Sequence, residues 1–410
     1  MILPRAYRQA LANRRFRLVA IGFGLSSLGD GMSALGVAWL AIEISTSANR
    51  GLVVGAAVAA YTLPGAAGIF LGRLLEGFDS GRLLLLNCGL RAVGLGTIAV
   101  LSHLGRLDVL SYVVLLAGSA LLSSWGTAAR YALVAETLPE SARLGGNSLL
   151  GTLLNAGFIA GPAAAGFITA ATGAAAVLGL DAVSWLVYAA FVILAGTPHE
   201  SATPLTVSGQ DAQSGLRMIR GDRALLALLM LTLAFYFFYG PVEVALPIFV
   251  KQDLHQSAAV LGAYWTGFGI GAVAGGVAFG FIRSAPLFTI ALAVIVGWGA
   301  GLAVIPFVDA PLGIAAFTLA GLIWSPYPTL MTTFLQRQAS GRALTTLSAA
   351  WTSATTLATP LGTAIGGPLV AATGAGTALL VSAVATLAIV PVAVMTKAVR
   401  NEEANARRQS

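Results

Sequence analysis

Residues 164–183 read AAGFITAATGAAAVLGLDAV, and residues 365–384, 201 positions later, read IGGPLVAATGAGTALLVSAV, with 9 of 20 aligned pairs identical. Alanine and glycine are so frequent in this chain that scattered matches mean little. One ungapped register, however, lays Gly166 over Gly367, the run Ala-Ala-Thr-Gly-Ala at 170–174 over 371–375, and Ala182-Val183 over Ala383-Val384. The chain therefore reads as two copies of a unit of roughly 200 residues.

The 410 residues are 57% apolar and only 10% charged, too little polar surface to cover a soluble body of that size. A membrane is the environment that such a composition fits. A helix needs about 20 apolar residues to cross about 30 Å of hydrocarbon, and the sequence offers twelve such stretches: 18–41, 51–74, 82–102, 109–132, 146–172, 175–196, 224–249, 258–282, 286–308, 311–334, 344–372 and 376–397. The opening segment carries five arginines up to Arg17 and runs into the first apolar stretch without a small-residue cleavage site, so it is expected to be a retained first helix. One cysteine, Cys88, excludes an internal disulfide framework and a thiolate cluster. His103, His199 and His255 all fall in expected connecting loops, which removes a histidine metal site within the bilayer.

Basic residues test this count, because cytoplasmic loops retain lysine and arginine. With the N-terminus inside, the inner segments hold 19 basic residues, the outer segments hold Arg50, Arg106 and Lys251, and Arg91 lies within the third span. The net charge of +7 is thus accounted for by membrane topology, and nucleic acid is not an expected partner. Both termini are expected in the cytoplasm of a multi-pass protein of the plasma or inner membrane. The longest polar interval, 197–223, separates an N-terminal six-helix bundle at 1–197 from a C-terminal bundle at 224–410, with 198–223 as a cytoplasmic linker and Ser214–Arg223 as a short surface helix. Six crossings return the chain to its starting side, so the two bundles are expected to be parallel repeats.

Six plus six helices around a longer central loop resemble the major facilitator superfamily over essentially the whole chain. Two motifs add to the resemblance. Gly157-x-x-x-Gly161-Pro162-x-x-x-Gly166 is similar to the glycine-proline element of that superfamily's exporters. Small residues four apart let helices meet backbone to backbone, and proline removes one hydrogen bond; in the family the element is held to seal the halves near the outer side. The stretch Gly72-Arg-Leu-Leu-Glu76-Gly-Phe-Asp79-Ser-Gly-Arg82 resembles the superfamily's charged loop after the second span. Gly72, Leu74 and Arg82 match, whereas Gly77, Ser80 and Gly81 stand where arginines are expected. The resemblance implies an inner latch built on Glu76, Asp79 and Arg82, weakened by the missing arginines.

Asp30 carries most of the mechanistic weight. It lies 13 residues beyond Arg17, about 20 Å along a helix. A carboxylate at that depth costs about 3 kcal/mol and marks an ion or proton path more often than a packing role. Arg91, 9 residues beyond Arg82, is about 14 Å deep and long enough to reach Asp30 as a structural or gating ion pair. Leu-Gly-Asp in the first span, with an arginine in the third, resembles the branch holding the macrolide and enterobactin exporters. Glu243, beside Gly240-Pro241, stands as either a second proton site or an interfacial charge, and Asp181 as an interfacial cap at the outer start of the sixth span. Tyr236, Tyr239, Trp265, Trp324 and Trp351 are the candidate aromatic walls of a substrate cavity, against the competing reading of lipid anchors. No Walker motif, nucleophile elbow or nucleotide fingerprint appears. The expectation is therefore a monomeric secondary transporter and not an enzyme. It takes no cofactor, uses the proton gradient and exports a drug or small amphipathic metabolite by alternating access. Proton-coupled nutrient uptake, and a non-transporting membrane protein such as a lipid scramblase, are the alternatives.

Overall fold

A computed structural model describes residues 5–67, 78–196, 209–281 and 287–395. Every regular element among them is helical. In chain order these are α1 (Arg5–Ala12), α2 (Arg14–Ile44), α3 (Arg50–Ala67), α4 (Ser80–His103), α5 (Val109–Ala120), α6 (Ser123–Thr137), α7 (Glu140–Thr172), α8 (Ala174–Ala195), α9 (Gly209–Gly221), α10 (Arg223–Ile248), α11 (Ala258–Phe279), α12 (Leu287–Val304), α13 (Ala310–Trp324), α14 (Pro326–Gln338), α15 (Gly341–Thr356), α16 (Ala358–Thr373) and α17 (Ala375–Met395). A π-helical turn, Phe249–Asp253, extends α10, and a 3-10 turn, Ile305–Phe307, extends α12.

Ten spans among the described residues are long and apolar enough to cross a membrane. Two of the twelve expected crossings are not in that set. The second falls on α3, whose described part stops at Ala67, and the eleventh is divided at Leu357 into α15 and α16. The helices begin where side chains satisfy free backbone N–H groups. Asn13 accepts from Phe16 N at the start of α2, Asp79 from Arg82 N at α4, Asp108 from Ser111 N at α5 and Asp309 from Leu312 N at α13. Arg143 closes the other end of α6 by donating to the carbonyls of Leu138 and Ala135.

Contacts divide the chain into a first unit, 1–206 with 257–266, and a second unit, 207–256 with 267–410. Residues 257–266, the first turns of α11, thus group with the first six-span set and not with the stretch that follows them. The polar interval is itself partly helical, as α9 shows.

In the first unit α2 is central, packing on α7, α8 and α3, while α4 packs on α8, α5 and α6 and α1 lies on α7. The α2–α7 seam is backbone against backbone. A Cβ on Gly157 would overlap the carbonyl of Ser27, one on Gly31 would overlap the carbonyl of Gly157, and one on Gly161 would meet Gly31. Pro162 and Gly166 face the start of α11 instead: Gly262 abuts the carbonyl oxygen of Pro162, Gly166 abuts Ala258 and Ala259, and Thr266 Oγ1 donates to Ile159 O at 3.2 Å. The glycine-proline element therefore serves two neighbours, its first two glycines on α2 and its proline and last glycine on α11.

The second unit repeats the pairings. α10 packs on α16 and α17, α12 on α17, α13 and α14, and α9 on α15. Its central seam is again glycine-built, with Gly240 against Gly362 and Thr363, and Gly362 against the carbonyl of Phe237. The duplicated register extends to the backbone. Gly173 ends α7 at φ 89°, ψ 161° and Gly374 ends α16 at φ 83°, ψ 164°, each donating its N–H four residues back, to Thr169 and Val370. These dihedrals lie in a region that is essentially glycine-only, which explains why glycine stands at both positions.

Candidate functional site

In the first unit, α2, α3, α4, α6 and α8 bring one polar cluster together inside the spans. Arg91 Nη1 of α4 lies 3.8 Å from Asp30 Oδ1 of α2, a charge contact longer than a hydrogen bond. Arg91 Nη2 donates to Ser123 Oγ of α6 at 2.9 Å. The Tyr61 hydroxyl of α3 donates to Asp30 Oδ1 at 3.4 Å. The guanidinium also lies 4.7 Å from the Tyr61 ring centre and 5.6 Å from that of Trp185, where cation–π attraction adds about 1–2 kcal/mol to a desolvated group. The Arg91 side chain keeps 10% of its surface and that of Asp30 keeps 27%. The carboxyl group is thus the more reachable member of the pair and the counter-ion the more enclosed one. Asp30 and Arg91 are thus brought together, and Tyr61 and Ser123 join them as members that sequence reading missed, because a tyrosine or serine in an apolar span carries no distinguishing signal.

Asp181 corrects an expectation. It is not an interfacial cap: it lies eight residues beyond Gly173, about 12 Å into α8, with no exposed surface. Ser33 Oγ of α2 donates to its Oδ2 at 2.6 Å, and Ser184 Oγ donates to its Oδ1 at 3.0 Å. Gly29 makes this approach possible, since a Cβ there would collide with Asp181 Oδ1 and Ser184 Oγ. Its complete burial and its two hydroxyl donors, which only the packing of α8 on α2 reveals, set it apart from an exposed cap. A second arginine, Arg130 of α6, stacks on Phe23 at 4.1 Å.

Asp79 and Arg82 are 3.2 Å apart, one turn from each other at the exposed start of α4, where the Asp79 carboxyl also caps the helix. A surface pair of this kind contributes about 0–1 kcal/mol. Glu76, the third member of the expected latch, lies outside the described residues. A link between helices at this end is made instead by Ser80, whose Oγ donates to Glu136 Oε2 of α6 at 2.7 Å.

In the second unit Glu243 accepts from Thr363 Oγ1 at 3.1 Å, across the α10–α16 seam. The helix continues through Gly240 and Pro241 without interruption, so Glu243 sits on intact helix and not beside a break. The aromatic residues divide into groups. Tyr239 is 5.7 Å from Trp298, Phe268 is 5.8 Å from both Trp298 and Trp324, and Phe317 joins the same set. Tyr236 instead packs with Phe235 and Tyr327. Trp351 is buried in α15, and Trp265 belongs to the first-unit segment of α11. Trp298 was not singled out from sequence, yet it is among the largest fully buried side chains.

The sequence model of the Major Facilitator Superfamily matches residues 19–363, most of the chain. This chain belongs to the major facilitator superfamily. Superfamily members are membrane transporters of small molecules, and the helical fold agrees. The chain overlays the POT family transporter PepTSo with a TM-score of 0.72 at 13% identity, covering 95% of this chain and 98% of that one. It overlays the nucleoside transporter NupG with a TM-score of 0.71 at 12% identity, covering 93% and 98%. A bacterial homologue of the human lysosomal transporter Spinster gives 0.69 at 12% identity, covering 97% of each chain. In sequence the chain is 26% identical over 355 residues, 82% of each chain, to the "Multidrug efflux pump Tap" of Mycobacterium tuberculosis and Mycobacterium bovis.

Proposed function

We propose that this superfamily member is a proton-coupled exporter of a drug or small amphipathic metabolite, working by alternating access. The observation that carries the coupling half of this reading is the Asp30–Arg91 contact inside the spans, with the carboxyl left partly accessible. A proton entering from outside neutralises Asp30 and releases Arg91 from its counter-charge. The guanidinium then interacts differently in the two access states, which is the condition for protonation to shift their balance. The proton gradient replaces any bound cofactor. Glu243, held by Thr363, is the second candidate proton site, and Tyr239, Trp324 and their aromatic neighbours suit a bulky, partly apolar substrate. Similarity to a multidrug efflux pump over 82% of the chain supports export over uptake. In this reading the protein is a monomer of the inner membrane, and the 19 to three division of basic residues favours cytoplasmic placement of both termini.

Two measurements test the reading. In a pump-deficient host, expression is expected to lower susceptibility to at least one compound of a panel of antibiotics, dyes and siderophores. With that compound in proteoliposomes, Asp30→Asn is expected to retain counterflow and to lose pH-gradient-driven transport at least tenfold. Full gradient-driven transport by Asp30→Asn removes Asp30 from the mechanism.

A further inference from the structure

Asp181 is a carboxyl group with no exposed surface, and the mechanism above does not use it. The duplicated register shows what its position needs structurally. Residue 181 aligns with Ser382 of the second copy. Each side chain joins the sixth span of its copy to the first: Asp181 of α8 accepts from Ser33 of α2, and Ser382 of α17 donates to the carbonyl of Phe238 on α10. A neutral serine therefore suffices to bridge these helices. The first copy keeps a carboxyl group there, in a segment where a charge costs about 3 kcal/mol.

The surroundings of Asp181 explain what that group can do. On α2, Ser33, which donates to it, and Gly29, whose added Cβ would meet it, flank Asp30, and Trp185, one turn further along α8, lies 5.6 Å from the guanidinium of Arg91 on α4, which also stacks on Tyr61 of α3. The charged residues of α7, Glu140 and Arg143, lie at the far end of that helix, in its first turn. Arg130 of α6 lies 4.1 Å from the ring of Phe23 on α2. The donors that reach Asp181, Ser33 and Ser184, are uncharged. The Asp181 carboxyl thus stands at the turn of α2 that carries Asp30, the carboxyl that meets Arg91, and two negative charges so placed repel each other. One proton on either carboxyl leaves a single carboxylate opposite Arg91.

We propose that Asp181 and Asp30 form a two-carboxyl pair around Arg91 and hold the coupling proton in common. The inference rests on Asp30 being the coupling site and adds a partner to it. Exchange is a simple transfer: the O–H of one carboxylic acid is broken, an O–H forms on the other carboxylate, and the charge of the cluster is unchanged. Asp30, the accessible member, receives the proton, and Asp181, the enclosed member, stores it away from solvent.

The second copy supplies the informative substitution, Asp181→Ser, with Asp181→Asn as its near-isosteric companion. Infrared titration of protonated carboxyl groups in purified, lipid-reconstituted protein needs no substrate. Removing Asp181 is expected to move the midpoint of cluster proton uptake toward acid by about one pH unit or more, tenfold in proton affinity, because the repelling neighbour is gone. The thermal unfolding midpoint of the Ser variant should stay within a few degrees of wild type. An unmoved titration in both folded variants overturns the proposal, and so does failure of both to fold, which would make Asp181 a packing residue. Loss of gradient coupling in Asp30→Asn together with an unmoved titration in Asp181→Ser sinks this inference alone. Full coupling in Asp30→Asn sinks the reading beneath it.

Discussion

Arg91 gives its charge to Asp30 at 3.8 Å and a hydrogen bond to Ser123, while Tyr61 and Trp185 close over its faces. Taking this side chain away strands a carboxylate that keeps only about a quarter of its surface. Arg91→Ala is therefore expected to cost about 2–3 kcal/mol in unfolding experiments in detergent, below the range for a fully enclosed pair because Asp30 is partly accessible. Adding Asp30→Asn should restore part of the loss, with a coupling of about 1 kcal/mol or more between the two sites. Strict additivity would show that the two side chains do not interact. Asp30 and Arg91 were legible in the sequence because a lone charge in an apolar run is visible and its depth can be counted from the last basic residue. Tyr61 and Ser123 were not, since only the fold reveals which face of a span they share. Asp181 was visible, but its burial against α2 was not, because only the fold brings Ser33 and Gly29 onto it.

At the scale of the element, the seams of both units are made by glycine, and each seam fixes a helix pair by backbone contact. Gly161 of α7 lies on Gly31 of α2, whereas Gly151, earlier on the same helix, has nothing within 4 Å of an added Cβ. Gly161→Val is expected to cost about 2–3 kcal/mol or more through overpacking, and Gly151→Ala to be neutral or stabilising by up to about 1 kcal/mol. Detergent unfolding midpoints of the two variants decide this, and equal effects would mean that helix propensity and not the seam governs α7. Most span limits were readable from hydropathy, but the interruptions of the fourth, tenth and eleventh spans were not, the last of them parting at Leu357. The fourth expected span parts after Ala120, where Ser123 Oγ bonds back to Ala120 O and Ser124 Oγ reaches across to Gly65 O. The tenth parts at Ser325, before Pro326. At the fourth span, serine is near neutral on a hydropathy scale, so a hydroxyl that competes with the helix ladder leaves no trace in the window; at the tenth, Pro326 has no N–H to continue the ladder.

For the molecule as a whole, the tandem register seen in 20 aligned residues is reproduced by helix pairings and by two backbone conformations. Gly173 and Gly374 share φ near 85° and both have open space around them. Gly173→Ala and Gly374→Ala should therefore each cost about 1–3 kcal/mol, for conformational reasons alone, and by matching amounts in thermal unfolding. A clear inequality would mean that the two copies no longer use the joint in the same way. The division of labour between copies was less legible than the duplication. Asp181 over Ser382 is a difference of side-chain chemistry on a shared frame, and an alignment that scores identity passes over it.

Cys88 is the chain's one thiol, and it is wholly enclosed in the first unit. Water-soluble maleimides consequently find almost nothing to react with in the unaltered protein. A single engineered attachment point on each unit would then carry a spin label or dye against a silent background. Separation changes through a transport cycle become measurable in a protein whose native sequence has been left nearly untouched.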